Sequence, residues 1–234
     1  MEFKLPRLKI SRELSLFASK KLKENEIRVP RASKDILIQL AAISQVILKE
    51  GIPNYLVLRK LKGKLGHGIF LHPDVEPILK GDVIAPYSGE VFLSQQREGN
   101  DSDYVFSLVP DLLLTKNEQL LLDPKSRYHP RRLYSLDLDA EKEGNFTRFI
   151  NHCDKPNVEA DFLRIPTNSL GLEPSPFEIL YRAKKTIRPG EQLLVCYDGD
   201  DKSYWGALKI KPFPMTPKTF QVDSSLKIVS SKKS

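Results

Sequence analysis

"NFTRFINHCDKPN", residues Asn145 to Asn157, is the stretch on which the reading of this chain turns. It sets His152 beside Cys153, follows the apolar residues Phe146, Phe149 and Ile150, and closes on a Pro-Asn pair. In isolation it fits a Cys-His catalytic pair, a metal site, or an apolar helix-like turn with a polar edge. The first reading is weak, because sequence neighbours in a regular element point apart and no third group orients them. The second finds no companions: the chain has 2 cysteines and 4 histidines, no Cys-x-x-Cys pair, and no ligand spacing among His67, His72, His129 and His152. The flanking chain has to decide the rest.

On both sides of the stretch the texture is one of short strands punctuated by Gly and Pro. Upstream lie "YLVLRKL", "GKLGHGIFL", "PILKGDVIAPYSGEVF" and "DYVFSLV". "LLLTKNEQLLLD" then reads as a hairpin with Lys116-Asn117 at its turn. Downstream come "VEADFLRI", "FEILYRAKKTI" and "EQLLVCYD". Strands at this density, with no regular helix between them, argue for a mainly β, β-rich α+β fold and against a parallel α/β one. The clear helix lies before them, in "ASKDILIQLAAISQVILKEG". Ser33 is its N-cap, Gly51 its stop, and Ile36, Leu40, Ile43 and Ile47 share one face. The preceding "SKKLKEN" reads as polar, basic and loosely ordered. This divides the chain into a basic N-terminal helical segment (1–51), a strand-rich domain (52–205) and a basic C-terminal tail (206–234).

Composition is that of an ordinary globular protein, 40% hydrophobic and 29% charged. No apolar run is long enough to span a bilayer, and "MEFKLPRLKISREL" has no signal-peptide core. Two cysteines make a disulfide framework improbable and suit a reducing compartment. The net charge of +7 conceals a partition. Residues 1–64 carry 15 Lys/Arg against 6 Asp/Glu, residues 65–205 carry 16 against 23, and residues 206–234 carry 6 against 1. Basic ends suit nucleic acid or another polyanion, and an acidic centre suits a cationic substrate; solvated faces explain the same charges equally well.

Four motifs occur in order. Gly66-His67-Gly68 either lets backbone approach a ligand closely or simply makes a tight turn. Tyr87-Ser88-Gly89-Glu90 ends a strand on a core tyrosine. Arg148 to Asn157 gives RFxNHxxxPN, and Gly190 to Tyr197 gives GExLxxxY. "GKLGHG" lacks the Lys-Ser/Thr of a phosphate-binding P-loop. This order, GxG, YxGE, RFxNHxxxPN, GExLxxxY, resembles the SET domain of protein-lysine N-methyltransferases, over about Tyr55 to Trp205. More loosely, it is similar to the small bacterial SET proteins of the chlamydial type.

The resemblance implies several small curved sheets and a knot-like C-terminal crossing, where the Asn-His segment lies beside the last strand. It implies S-adenosylmethionine as methyl donor, S-adenosylhomocysteine as product, and no metal. Gly66, His67, Gly68, Arg148, Phe149, Asn151 and His152 fall on the family's cofactor positions, which makes Cys153 a bystander. Tyr87, Tyr104 and Tyr197 fall on its channel tyrosines, with Tyr197 as the main catalytic residue. Three departures stand out. Cys196 replaces the Asp that often precedes the last tyrosine. The cysteine-rich zinc segment that often follows is absent, leaving Tyr204 or Trp205 to close the lysine channel, with Trp205 equally readable as a plug in the core. Pro124 to Asn145 reads as an insertion.

The implied substrate is a lysine-rich protein, a histone or histone-like one, with the basic ends available to nucleic acid, a homodimer possible and no membrane contact. The implied address is cytoplasmic or nucleus-associated, including a bacterial effector reaching a host nucleus. Two alternatives stay open: a SET-like module that binds peptide or nucleic acid without turnover, and a methyltransferase for a non-histone protein.

Overall fold

Local chemistry sets the N-terminal elements. In the computed structural model, which describes residues 7–61, 66–95, 104–166, 172 and 175–197, Ser11 caps helix α1 (Arg12–Glu24) by accepting the Leu14 N–H at 3.2 Å. The segment expected to be loose is therefore a helix. Leu14, Phe17, Ala18 and Leu22 recur at helical spacing and are buried, so the basic residues take the outer side. Helix α2 (Lys34–Glu50) starts on Ser33, which accepts the Ile36 N–H, and ends on Gly51, whose φ of 79° suits glycine. It buries Leu37, Leu40, Ile43 and Ile47.

Among the described residues, the remainder is built mainly of ten short strands in four small sheets. Strands β1 (Leu56–Lys60) and β2 (His67–Leu71) form an antiparallel pair. A three-stranded sheet has the order β3 (Val83–Pro86), β9 (Ser175–Ala183), β8 (Val158–Ile165). A second has the order β4 (Glu90–Gln95), β6 (Leu133–Asp139), β5 (Val105–Leu113). The smallest is decisive: β7 (Asn151–His152) runs parallel to β10 (Leu194–Val195), Asn151 opposite Leu194 and His152 opposite Val195. That pairing is the C-terminal crossing of this β-rich α+β fold.

Two further expectations are corrected. The supposed hairpin at Lys116-Asn117 is helix α3 (Lys116–Leu122). Thr115 accepts the Glu118 N–H while Glu118 accepts the Thr115 N–H, a reciprocal cap that outweighs the strand-like leucines on either side. Nor is Pro124 to Asn145 a mere insertion. It contains β6, the central strand of its sheet, with Tyr134, Leu136 and Leu138 buried.

One buried core runs through all of this. It joins Leu14, Phe17 and Leu22 of α1 and Leu40 and Ile47 of α2 to Ile69, Ile84, Leu136, Phe177 and Ile179 of the strands. An ion pair adds to it: Arg7 Nε donates to Glu178 Oε1 at 2.9 Å, and Glu178 is 1% exposed.

Candidate active site

The stretch Asn145 to Asn157 is held at both ends by buried asparagines. Asn145 Nδ2 donates to the Pro86 carbonyl at 2.8 Å, its backbone N–H donates to Ser88 Oγ at 2.9 Å, and its Oδ1 accepts the Thr147 N–H at 2.9 Å. These bonds straddle Tyr87. At the other end Asn157 Nδ2 donates to the Gln192 carbonyl at 2.8 Å, and Oδ1 accepts the Leu194 N–H at 2.8 Å. Between the clamps, Phe146–Phe149 forms a 3-10 turn that buries Phe146 and Phe149, which leaves Asn151 and His152 to pair with β10. Asn145 was not singled out from sequence, and Asn157, the last residue of the RFxNHxxxPN motif, was given no role there.

Asn151 faces the GxG segment. Its Nδ2 donates to the His67 carbonyl at 2.8 Å, and the His67 ring meets Phe149 edge-on at 5.6 Å between centroids. Gly66 has φ of 65°, a left-handed conformation that glycine adopts without strain. Gly68 needs its missing side chain for another reason: a β-carbon there would stand 2.5 Å from Gln192 Nε2 and 3.2 Å from Asn151 Nδ2. Gln192, also missed from sequence, is 2% exposed.

His152 is spent on positioning. Its Nδ1 accepts the Tyr197 N–H at 3.0 Å, which places the ring proton on Nε2, facing Asp154 Oδ1 at 3.2 Å. Groups that orient His152 do exist, contrary to the sequence expectation; they come from Tyr197 and Asp154. Cys153 is buried, and its Sγ accepts the Lys155 N–H at 3.3 Å.

The three tyrosines converge. Tyr197 OH donates to the Ile150 carbonyl at 3.0 Å, and Tyr87 OH donates to the Tyr104 carbonyl at 3.1 Å. Burial, reinforced by the nearby Tyr197 and Asp139, pushes the Tyr87 hydroxyl well above its ordinary pKa, so it stays neutral. Tyr181, a further residue that sequence reading passed over, is fully buried with its ring 5.5 Å from that of Tyr87, and burial raises its pKa too. Arg148 donates to the Ala140 and Glu141 carbonyls at 2.8 and 2.6 Å and lies over the Tyr104 and Phe149 rings at 5.6 and 5.0 Å. Burial lowers its pKa. Tyr204 and Trp205 lie outside the described residues.

A family model described as the SET domain matches residues 67–198, more than half of the chain. The chain belongs to the SET-domain family. Among relatives of this SET domain, the histone-lysine N-methyltransferase, H3 lysine-4 specific, of Mycosarcoma maydis is 29% identical over 132 residues, covering 53% of this chain and 7% of that protein. The histone-lysine N-methyltransferase, H3 lysine-9 specific, of Fusarium mangiferae is 30% identical over 120 residues, covering 51% and 33%. The chain thus spans a third or less of the length of these relatives. Among solved structures, ATXR5 in complex with methylated histone H3.1 has a TM-score of 0.55 at 22% identity, covering 85% of this chain and 82% of that one, a likeness of fold.

SET methyltransferases use S-adenosylmethionine, and two features here fit such a ligand: a glycine at 68 whose β-carbon position is taken by the Gln192 amide, and that amide, buried and without hydrogen-bond partners among the described residues. Among the described residues, no group of three or more His, Cys, Asp or Glu side chains is placed to hold a metal ion. No described helix is long and apolar enough to cross a membrane.

Proposed function

We propose that this SET domain is a protein-lysine N-methyltransferase acting on histone or histone-like proteins. The observation that carries the reading is that Tyr87, with Tyr104 and Tyr197 near it, and the Tyr197 ring against His152 lie beside the Asn151–His152 edge, with the Tyr87 and Tyr197 hydroxyl protons engaged by backbone carbonyls. Because those protons are committed, the Tyr87 and Tyr197 hydroxyls can act towards a substrate only as acceptors. That environment suits a cationic amine and a polarised methyl group.

The cofactor supplies a sulfonium methyl group. The chain's own task is to present a neutral amine in line with it. At pH 7, deprotonating an unperturbed lysine costs about 4–5 kcal/mol. Aromatic walls made by Tyr87, Tyr104 and Tyr197 desolvate the ammonium and lower that cost. Holding the amine in one orientation supplies much of the remaining advantage. Gly66, Gly68, Asn151, Arg148, Phe149, His67 and His152 are the proposed cradle. His152, with both ring nitrogens engaged inside the chain, acts there by fixing the Tyr197 backbone.

A cationic substrate is supported by the acidic middle of the chain and by a groove of about 550 Å³ walled by Asp123, Asp139 and Glu141, by Glu90 and Glu143, which pair with Lys9, and by one cation, Lys142. Nucleic-acid contact through the basic ends, a homodimer and a nuclear workplace belong to the same proposal. So does the likeness to small bacterial SET proteins with a host nucleus as address, which rests on motif order alone. Retention of the tagged chain inside the producing cell counts against that last part.

The test incubates the purified protein with labelled S-adenosylmethionine, core histones and a cell lysate. Label in histone lanes supports the reading, label only in lysate proteins moves the substrate to a non-histone protein, and no label with folded protein favours a binding module. Tyr197→Phe loses the hydrogen bond to Ile150. It is expected to slow turnover or change the number of methyl groups added, read by mass spectrometry, while S-adenosylhomocysteine affinity holds.

A further inference from the structure

Gln192 sits inside the GExLxxxY element with a side chain that the mechanism above does not use. Its backbone is fixed: it bridges to Phe70 of β2, and its carbonyl accepts from Asn157 Nδ2 at 2.8 Å. Its amide lies across the face of Gly68, in the space that a β-carbon would fill, with the Asn151 amide 3.2 Å from that same point. It is 2% exposed, yet neither Oε1 nor Nε2 has a hydrogen-bond partner among the described residues. Turning the amide over does not relieve this, because both ends lack one. Each such orphan carries a desolvation penalty that an apolar side chain of the same shape avoids. Asn151, by contrast, spends a donor on His67.

We propose that Gln192 is a cofactor-binding residue, its amide taking up polar groups of S-adenosylmethionine alongside Asn151. The chemistry matches on both sides. The donor carries hydroxyl, ammonium and carboxylate groups that give and accept hydrogen bonds, and a primary amide offers one donor face and one acceptor face. The ligand-free protein then carries an unsatisfied amide that binding satisfies, so its cost is returned on binding and sharpens affinity. This inference rests on the methyltransferase reading.

The test compares wild type with Gln192→Met, which keeps the side-chain length and removes both polar groups. Thermal denaturation is followed on the ligand-free proteins, and S-adenosylhomocysteine is titrated calorimetrically into each. The expected result is an unchanged or raised Tm without ligand together with an affinity about tenfold weaker. Equal affinities overturn the proposal. A Tm lowered by several degrees without ligand also overturns it, because the amide is then satisfied in the free protein, for example by a trapped water. If wild type itself takes up no S-adenosylhomocysteine, the methyltransferase reading falls, and the wild-type titration alone shows it.

Discussion

A β-carbon on residue 68 would stand 2.5 Å from Gln192 Nε2, closer than packed atoms approach, so glycine there is set by a neighbour 124 positions away in the chain. Gly68→Ala is therefore expected to push the Gln192 amide aside and destabilise the fold by about 1 kcal/mol, the low end of what overpacking costs. The double variant Gly68→Ala/Gln192→Ala is expected to recover much of that loss, and urea denaturation of the four members of the cycle measures the coupling. Additive losses would show that the two residues do not meet. The same scale explains Asn157. Replacing it with Ala leaves the Leu194 N–H and the Gln192 carbonyl unpaired in a dry place. We expect a loss of about 2–4 kcal/mol in denaturant titrations. Asn151, Tyr197 and Gly68 were legible from their motifs. Gln192, Asn145 and Tyr181 were not, because what marks them is burial and partners, neither of which leaves a pattern in neighbouring residues.

Elements were legible where periodicity and caps agreed. In α2 the apolar stripe, Ser33 and Gly51 all pointed to the same helix, and it forms there with a slightly rotated buried face that includes Leu37. In α3 the leucines looked strand-like, and the deciding signal was the reciprocal cap of Thr115 and Glu118. That cap is tied to α1 by Lys20 Nζ, which donates to Glu118 Oε1 at 2.7 Å. Partial burial opposes ionisation of Glu118 most strongly, but Lys20, the Thr115 backbone and side chain, and Lys21 together outweigh it and hold its pKa down at about 2. A carboxylate lowered in the folded state contributes stability that is complete above its ordinary pKa of 4.5 and is lost as pH falls from there towards about 2. Glu118→Gln removes this dependence. The gap in stability between wild type and variant, measured from about pH 6 downwards, is expected to close across that window. A gap that stays constant would mean that the carboxylate contributes through shape alone. Strand β6 was hidden differently: its buried Ser135 and Asp137 interrupt the apolar pattern that a central strand usually shows.

Across the whole molecule, the N-terminal helices and the strands share one core, so deleting residues 1–51 would strip Leu14, Phe17, Leu40 and Ile47 from it. The truncated chain is expected to be insoluble or to lose its cooperative thermal transition. A folded, S-adenosylhomocysteine-binding 52–234 chain would make the proposed division at residue 51 a true domain boundary. The Arg7–Glu178 pair makes the same point with charge. Burial pushes the Glu178 carboxyl up, and Arg7 pulls it back. Arg7→Met leaves a buried carboxylate without its cation, at a cost of about 3–5 kcal/mol near neutral pH. With its folded pKa raised, Glu178 in that variant favours folding at low pH and opposes it as pH rises, so the loss is expected to shrink in acid titrations. By itself the sequence determined the β-rich class, the best-defined helix and the membership carried by four ordered motifs, because each is written in local spacing or in residue types that few other folds require. Only the tertiary structure decided that β7 and β10 pair in parallel with Asn151 opposite Leu194, that a glutamine fills the place of a glycine's side chain, and that His152 serves Tyr197. Those facts depend on which distant segments meet, and that is settled by packing.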